Sequence, residues 1–522
     1  PRLLEALRKG EKTILLDDGS IGMVPEEWLK KYGQIAQMGT QTGDVIRFGK
    51  AQVGVLDALL ASRPEVSFDK QFQKARSELK KFEGVEPADP PAAFKGELRG
   101  YQREGLGWLK FLRKFGFGGC LADDMGLGKT VQVLAHLATI RKGATLVVVP
   151  RSLIFNWKQE AARFAPKLKV LDHTGLGREN LRQNVLDESQ AAKNANTETA
   201  KSVKLIQADH RLALSGTPIE NHLGELWTLF DFLNPGMLGR AGAFGGESGS
   251  LRNPSPETRE LLAKALKPFI LRRTKSQVAK DLPEKTEQTL FCELEPEQRR
   301  LYDELRDHYR AALLSKVDEL GMKRTKIQVL AALLRLRQAA CHPGLIDEKR
   351  GAESCAKFDT LLPQIQEVIE EGHKVLVFSQ STTFLGLAKT RLDALGLPYE
   401  YLDGQTRDRA ERVERFQNDV GCRLCLVSLK AGGVGLSLTG ADCVYLLDPW
   451  WNPAVEAQAI DRSHRIGQSK PVFAYRLIAK NTVEEKVLEL QQRKKSLADS
   501  ILEGDGRLLA DLRREDLEML LS

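Results

Sequence analysis

The chain has 522 residues, 42% of them apolar and 28% charged, which excludes a wholly disordered polymer and leaves room for several domains of about 150 residues each. Its 78 Lys and Arg against 70 Asp and Glu give a net charge of +8, an excess that permits a polyanionic partner without establishing one. No apolar run approaches the ~20 residues needed to cross a bilayer, and no charged-then-apolar leader opens the chain, so a soluble intracellular protein with no membrane partner is expected.

Residues 1–96 read as an accessory α+β module and linker. Thr13 to Val24 spaces two short strands around an Asp-Gly turn. Pro25-Glu-Glu-Trp-Leu then opens a helix with acidic residues in its first turn. The prolines of Val85–Ala93 mark a linker. From Leu98 the pattern changes. Short apolar strands at Gly119–Ala122, Thr145–Val149, Leu212–Ser215, Lys374–Ser379, Arg423–Ser428 and Cys443–Leu447 alternate with helix-length segments, the mark of parallel α/β sheets. They fall into two groups, 97–235 and 344–482, separated by a mostly helical, highly charged insertion at 236–343. A charged amphipathic helix from Val483 to Ile501 opens the final stretch, 483–522, and is suited to bracing the lobes. Seven scattered cysteines, with only one CxxC at Cys422–Cys425, read as reduced structural thiols rather than metal ligands.

Three segments carry chemistry. Asp123-Asp-Met-Gly-Leu-Gly-Lys-Thr130 lies between a strand and the helix Val131–Ile140. A glycine-rich turn there lets backbone amides and a helix N-terminus wrap a phosphate. Lys129 then reaches the β- and γ-phosphates, and the Thr130 hydroxyl binds Mg²⁺. The strict pattern wants glycine at position 123, where this chain has Asp. Val185-Leu-Asp-Glu-Ser-Gln190 offers an apolar strand ending in Asp187 for the metal and Glu188 to polarise the attacking water. In Asp461–Gln468, Arg462 and Arg465 are spaced i, i+3, so that on a helix they share a face and present two cations to a transferring phosphoryl group. They lie more than 300 residues beyond Lys129, in the other lobe.

Taken together, these blocks resemble the Swi/Snf-type ATPases of helicase superfamily two. The series also includes Arg99-Gly-Tyr-Gln102, Leu214–Asn221, Ser428–Leu438 and Asp448-Pro-Trp-Trp-Asn-Pro453, and it runs in order from about Leu98 to Ile501. The compact bacterial and archaeal members are the most similar. The resemblance implies two RecA-like lobes, ATP and Mg²⁺ as cofactors, and hydrolysis stimulated by DNA. It implies that Gln102 reads the adenine edge and that Asp124, Met125, Gly126, Leu127, Gly128, Lys129 and Thr130 hold phosphates and metal. Ser215, Gly216 and Thr217 would couple hydrolysis to lobe movement. Gly433, Gly435 and Gln458, with Arg462 and Arg465, would complete the nucleotide site.

For duplex DNA the resemblance points to Arg151, Ser152, His173, Thr174, Ser379, Gln380, Gly404 and Lys430, whose chemistry suits phosphate holding without base readout. Trp450 either joins that track or packs. The expected function is a monomeric translocase on double-stranded DNA that displaces or remodels a DNA-bound protein, RNA polymerase or another nucleoprotein, without separating strands. RapA-like recycling of RNA polymerase and true unwinding are the alternatives. A dead ATPase fold serving as a DNA-binding scaffold would lack Lys129, Glu188 or the arginines, and all are present. The expected location is the cytoplasm and nucleoid of a prokaryote, or the nucleus of a eukaryote. One departure stands out. Only nine residues separate Gly175 from Val185, where the resemblance implies a further strand and a Thr-Thr-Tyr-type motif.

Overall fold

The computed structural model describes residues 2–9, 11–16, 18–43, 45–60, 70–80, 86–140, 143–150, 153–171, 183–186, 198–216, 223–239, 256–429, 436–449, 453–498 and 514–522. It divides into two compact units, Pro1–Asp124 with Gly128–Val278, and Met125–Leu127 with Ala279–Ser522.

The first unit opens with α1 (Arg2–Lys9), β1 (Thr13–Leu15), β2 (Ile21–Met23), α2 (Glu26–Met38), β3 (Thr40–Thr42), β4 (Val45–Arg47), α3 (Val53–Leu60) and α4 (Lys70–Lys80). β1 and β2 pair antiparallel with Thr13 opposite Met23, as the Asp-Gly signal predicts. Gly19 takes φ +82° in that turn, a conformation that favours glycine, and Asp18 Oδ1 accepts a hydrogen bond from Ser20 N at 2.9 Å. Glu26 and Glu27 sit in the first turn of α2, where they complement the helix dipole.

The α/β pattern then follows: α5 (Gly100–Phe115), β5 (Gly119–Leu121), α6 (Lys129–Leu137), β6 (Thr145–Val148), α7 (Ile154–Phe164), β7 (Gln183–Leu186), α8 (Glu198–Leu205), β8 (His210–Leu214), α9 (Leu223–Leu233), α10 (Pro256–Leu266), β9 (Ile270–Leu271) and α11 (Lys275–Val278). Five strands make one parallel sheet in the order β6-β7-β8-β5-β9. The N-terminal module packs on this lobe. α3 lies against α10, and the buried Gln52 side chain donates to the carbonyls of Met38 (2.6 Å) and Gly236 (2.9 Å). Gly239, at φ +65°, approaches so closely that a Cβ there would lie 2.7 Å from Met38 Cα.

The second unit contains β10 (Lys285–Cys292), α12 (Pro296–Leu320), α13 (Met322–Cys341), α14 (Ala356–Glu370), β11 (Val375–Ser379), α15 (Thr382–Ala394), β12 (Tyr399–Leu402), α16 (Arg409–Asn418), β13 (Leu424–Ser428), β14 (Cys443–Leu446), α17 (Pro453–Ile460), β15 (Val472–Ala479), α18 (Val483–Ala498) and α19 (Arg514–Leu520). Its six-stranded sheet, β10-β15-β14-β11-β13-β12, is parallel throughout. β11, β13 and β14 are buried along their whole length, which is why they read as unbroken apolar runs. Phe358, Leu361, Phe384 and Leu392 cover one face, and Phe416, Leu438 and Ile460 the other. A separate helical core joins α12 and α13 to α18 and α19 through Tyr302, Leu333, Leu336, Leu490 and Leu517.

The stretch 236–343 is not wholly helical. β9 borders the first sheet, and β10 pairs with β15 from Lys285↔Val472 to Cys292↔Ala479. Both lie at sheet edges, where polar residues such as those of Lys-Thr-Glu-Gln are tolerated and blur the apolar signal of a strand. All seven cysteines are free and buried.

Candidate nucleotide and nucleic-acid sites

In a parallel sheet the loops that follow the strands gather at one edge, and ligands bind there. Several of the sequence-predicted motifs fall after such a strand end, whereas Gln102 lies on α5 and Arg462 and Arg465 follow α17. The Asp123–Thr130 loop follows β5, Ser215 follows β8, and Asp187 and Glu188 follow β7 in sequence. Ser379 ends β11, Gly404 follows β12, and Lys430 and Trp450 come after β13 and β14.

The glycine-rich loop is shaped for close approach. Gly126 and Gly128 take φ +83° and +75°, and Gly128 is the N-cap of α6. A Cβ on Gly128 would lie 2.7 Å from Gln102 Nε2, so glycine there lets the buried Gln102 amide sit against the loop. Gln102 Oε1 accepts from Arg99 N at 3.0 Å, which fixes the side chain at the start of α5. The Lys129 ammonium is held by the carbonyls of Asp123 (2.6 Å) and Asp124 (3.3 Å), and Thr130 stands in the first turn of α6.

Asp123, the residue that fails the strict pattern, explains itself here. It is 0% exposed, and Arg273 grips it in bidentate fashion, Nε to Oδ1 at 2.9 Å and Nη2 to Oδ2 at 2.6 Å. Gln132 Nε2 donates to the same carboxylate at 3.1 Å, and its Oε1 accepts from Arg273 at 2.9 Å. Arg273 also donates to the Tyr101 carbonyl and lies over the Tyr101 ring, whose hydroxyl burial pushes up to about 12. Asp124 completes the brace by donating its amide to the Arg273 carbonyl (3.0 Å) and accepting from Lys275 N (2.9 Å). Sequence reasoning missed Arg273 and Gln132. The only signal was an Arg-Arg pair beside a two-residue strand.

Removing one member of a buried, hydrogen-bonded ion pair leaves the other charge uncompensated, at a cost of about 3–5 kcal/mol. Arg273→Ala is therefore expected to lower the stability of the first unit by about that amount in urea unfolding. Arg273→Lys should recover little of it, because an ammonium cannot reproduce the two-pronged geometry. An unchanged midpoint for Arg273→Ala would contradict this account.

Ser215 is buried, and its amide donates to the Leu121 carbonyl at 3.2 Å, tying the segment after β8 to β5; Gly216 follows it. In the second unit, Gln458 is half-buried on α17. Arg462 and Arg465 follow α17 but do not share a helix face, because residues 461–467 are turns. Ser463 Oγ donates back to the Ile460 carbonyl (3.0 Å), the His464 ring lies 2.8 Å from the Pro283 carbonyl, and Gly467 takes φ +102°. Together these draw the chain out of the helix. Arg462 is buried and Arg465 half-buried.

Ser379 is buried and Gln380 half-buried. Gln380 N donates to Asp448 Oδ1 at 3.1 Å. Asp403 Oδ1 accepts from Gln405 N, Thr406 N and Thr406 Oγ1, each at 2.9 Å, so the turn is rigid and presents the exposed Gly404. Asp187, Glu188, Gly433, Gly435, Arg151, Ser152, His173, Thr174, Lys430, Trp450 and Thr217 lie outside the described residues, as does the short stretch after Gly175.

The chain matches the SNF2-related domain over residues 101–185 and 173–345, and the helicase conserved C-terminal domain over residues 356–467. An ATP-dependent helicase of Mycoplasma pneumoniae is 36% identical over 457 residues, covering 80% of this chain and 44% of the relative. The putative ATP-dependent helicase/translocase YwqA of Bacillus subtilis is 35% identical over 507 residues, covering 88% and 54%. A solved SWI2/SNF2 ATPase core of Sulfolobus solfataricus, in complex with dsDNA, is 33% identical and covers 84% of this chain and 98% of that one, with a TM-score of 0.39. The chain spans about half the length of the curated relatives it matches. With two parallel α/β lobes, a glycine-rich loop after β5 and matches along most of its length, the chain belongs to the Swi/Snf-type, SNF2-related proteins of helicase superfamily two.

Proposed function

We propose that the chain hydrolyses ATP to translocate on double-stranded DNA, displacing or remodelling a protein bound there without separating the strands. The observation that supports this most is the braced loop at the end of β5. Two left-handed glycines lead into the N-terminus of α6, the Lys129 ammonium lies against the loop carbonyls of Asp123 and Asp124, and the buried Asp123–Arg273 pair braces the loop. Gln102 lies beside the loop, where its amide can pair with the edge of an adenine.

The Thr130 hydroxyl in the first turn of α6 and the Asp187 carboxylate are hard oxygen donors that suit Mg²⁺. When bound, that ion neutralises charge between the β- and γ-phosphates. Lys129 holds the same phosphates, Glu188 takes a proton from the attacking water, and Arg462 and Arg465 stabilise charge on the transferring group. Ser215, Gly216 and Thr217 relay the nucleotide state to lobe movement. Gln380, Gly404, Lys430 and their first-lobe counterparts grip phosphates, which gives movement along the duplex without base readout. The relatives' names, which include a helicase/translocase, support the same class of activity.

The test is ATP turnover with no DNA, with single strands and with duplex. Stimulation by duplex well above single strands is expected. Equal rates in all three would remove duplex DNA as the track. Strand displacement from a bare duplex would replace translocation with unwinding.

A further inference from the structure

Beneath the strand-end loops of the second sheet lies a cluster of four charged side chains that the nucleotide chemistry does not use. Arg337 on α13, Lys357 on α14, Asp448 after β14 and Glu484 in the first turn of α18 are each at most 4% exposed. Lys357 Nζ pairs with Glu484 at 2.7 Å and donates to the Leu447 carbonyl at 2.7 Å. Arg337 donates to the Pro449 carbonyl. Two cations therefore hold the backbone on either side of Asp448. Its carboxyl, pushed up to about 6 by burial, accepts from Gln380 N at 3.1 Å and bonds the Ser379 side chain. Glu484 Oε2 in turn accepts from Ala479 N at 2.9 Å, at the end of β15.

Such a cluster is a poor choice for stability alone. Removing each ion from water costs several kcal/mol, and well-packed apolar residues of similar volume often serve as well. What the charges do supply is fixed direction. Lys357, Arg337 and Asp448 each terminate on a loop carbonyl or amide, and the loops so fixed are Ser379–Ser381 and Leu447–Pro449, while Glu484 terminates on the last amide of β15. Glu484 orients Lys357, Lys357 holds Leu447, and Asp448 carries the constraint across to Gln380.

We propose that Glu484, acting through Lys357, is a positioning residue that ties helix α18 to these two loops and so sets the affinity of this lobe for duplex DNA. The duplex part of this rests on the function proposed above. The helix is then part of the DNA-binding apparatus although it carries none of the residues assigned to the track.

The test uses the full chain with Glu484→Gln and with the paired change Lys357→Met/Glu484→Leu, which fills the space without charge. Three quantities are measured: the thermal midpoint, hydrogen exchange at amides 379–381, 447 and 448, and the Kd for a duplex. For the paired variant a near-wild-type midpoint is expected, with about tenfold faster exchange at those amides. Duplex binding should weaken by about tenfold. The paired variant keeps the question open to measurement if Glu484→Gln does not fold. Wild-type exchange at those amides in a folded variant would overturn the inference, as would faster exchange with unchanged duplex affinity. If the wild-type chain binds no duplex at all, the proposed function falls, and the exchange result alone then decides whether Glu484 positions the loops.

Discussion

Arg465→Ala is expected to bind ATP with nearly wild-type affinity while turnover falls by about 10³-fold, the low end of what an arginine contributes to a phosphoryl-transfer transition state. The split follows from when the guanidinium matters. Charge on the transferring group develops on the way to the transition state, so a cation aimed at that charge lowers the barrier more than it tightens ground-state binding. Arg465 stands on a turn fixed by Ser463, His464 and Gly467, and so is presented at a defined point rather than on a sliding helix face. Arg465→Lys should recover only part of the rate, because a point charge replaces a planar fork. Fluorescent-nucleotide titration and single-turnover hydrolysis separate the two effects. Unchanged turnover in Arg465→Ala would remove the residue from the catalytic role.

Lys129→Ala should behave differently, losing affinity and rate together. The ammonium is the only side-chain cation in the Asp123–Thr130 loop, and its proposed phosphate contacts exist in the ground state as well as the transition state. Losing one such preorganised donor typically costs about 10²–10³ in rate, and weaker nucleotide binding adds to that. The loop itself should keep its shape, since Asp123, Arg273 and Gln132 hold it independently of Lys129. The variant should therefore unfold at the wild-type urea midpoint, which distinguishes it from Arg273→Ala. Wild-type nucleotide affinity in Lys129→Ala would argue against the phosphate role.

What the sequence reveals and what it hides follow the physics of each element. β11, β13 and β14 are buried on both faces, so their composition is apolar throughout and they stand out. The glycine-rich loop is legible because left-handed backbone and close approach leave few alternatives to glycine at Gly126 and Gly128. β9, β10 and β12 are hidden because they are short or lie at sheet edges, where side chains need not be apolar. Asp123 looks like a failed match until its partner is seen, and that partner is 150 residues away. Lys357 and Glu484 read as ordinary surface charges on helices, since nothing local marks a charge that is paired across 127 residues. The turn carrying Arg462 and Arg465 is lost to periodicity because i, i+3 spacing describes a helix only if the helix continues.

The docking of α3 on α10 changes what shortening the chain would mean. Cutting at residue 96 looks like trimming an appendage. It would instead strip Val55, Leu56 and Leu59 from the side of the first lobe and leave the Gly236 carbonyl without its Gln52 donor. The close fit of Gly239 against Met38 would become an open backbone corner. A trimmed protein that lost or gained activity would be reporting first on an exposed apolar face, prone to self-association, and only then on any restraint those residues exert.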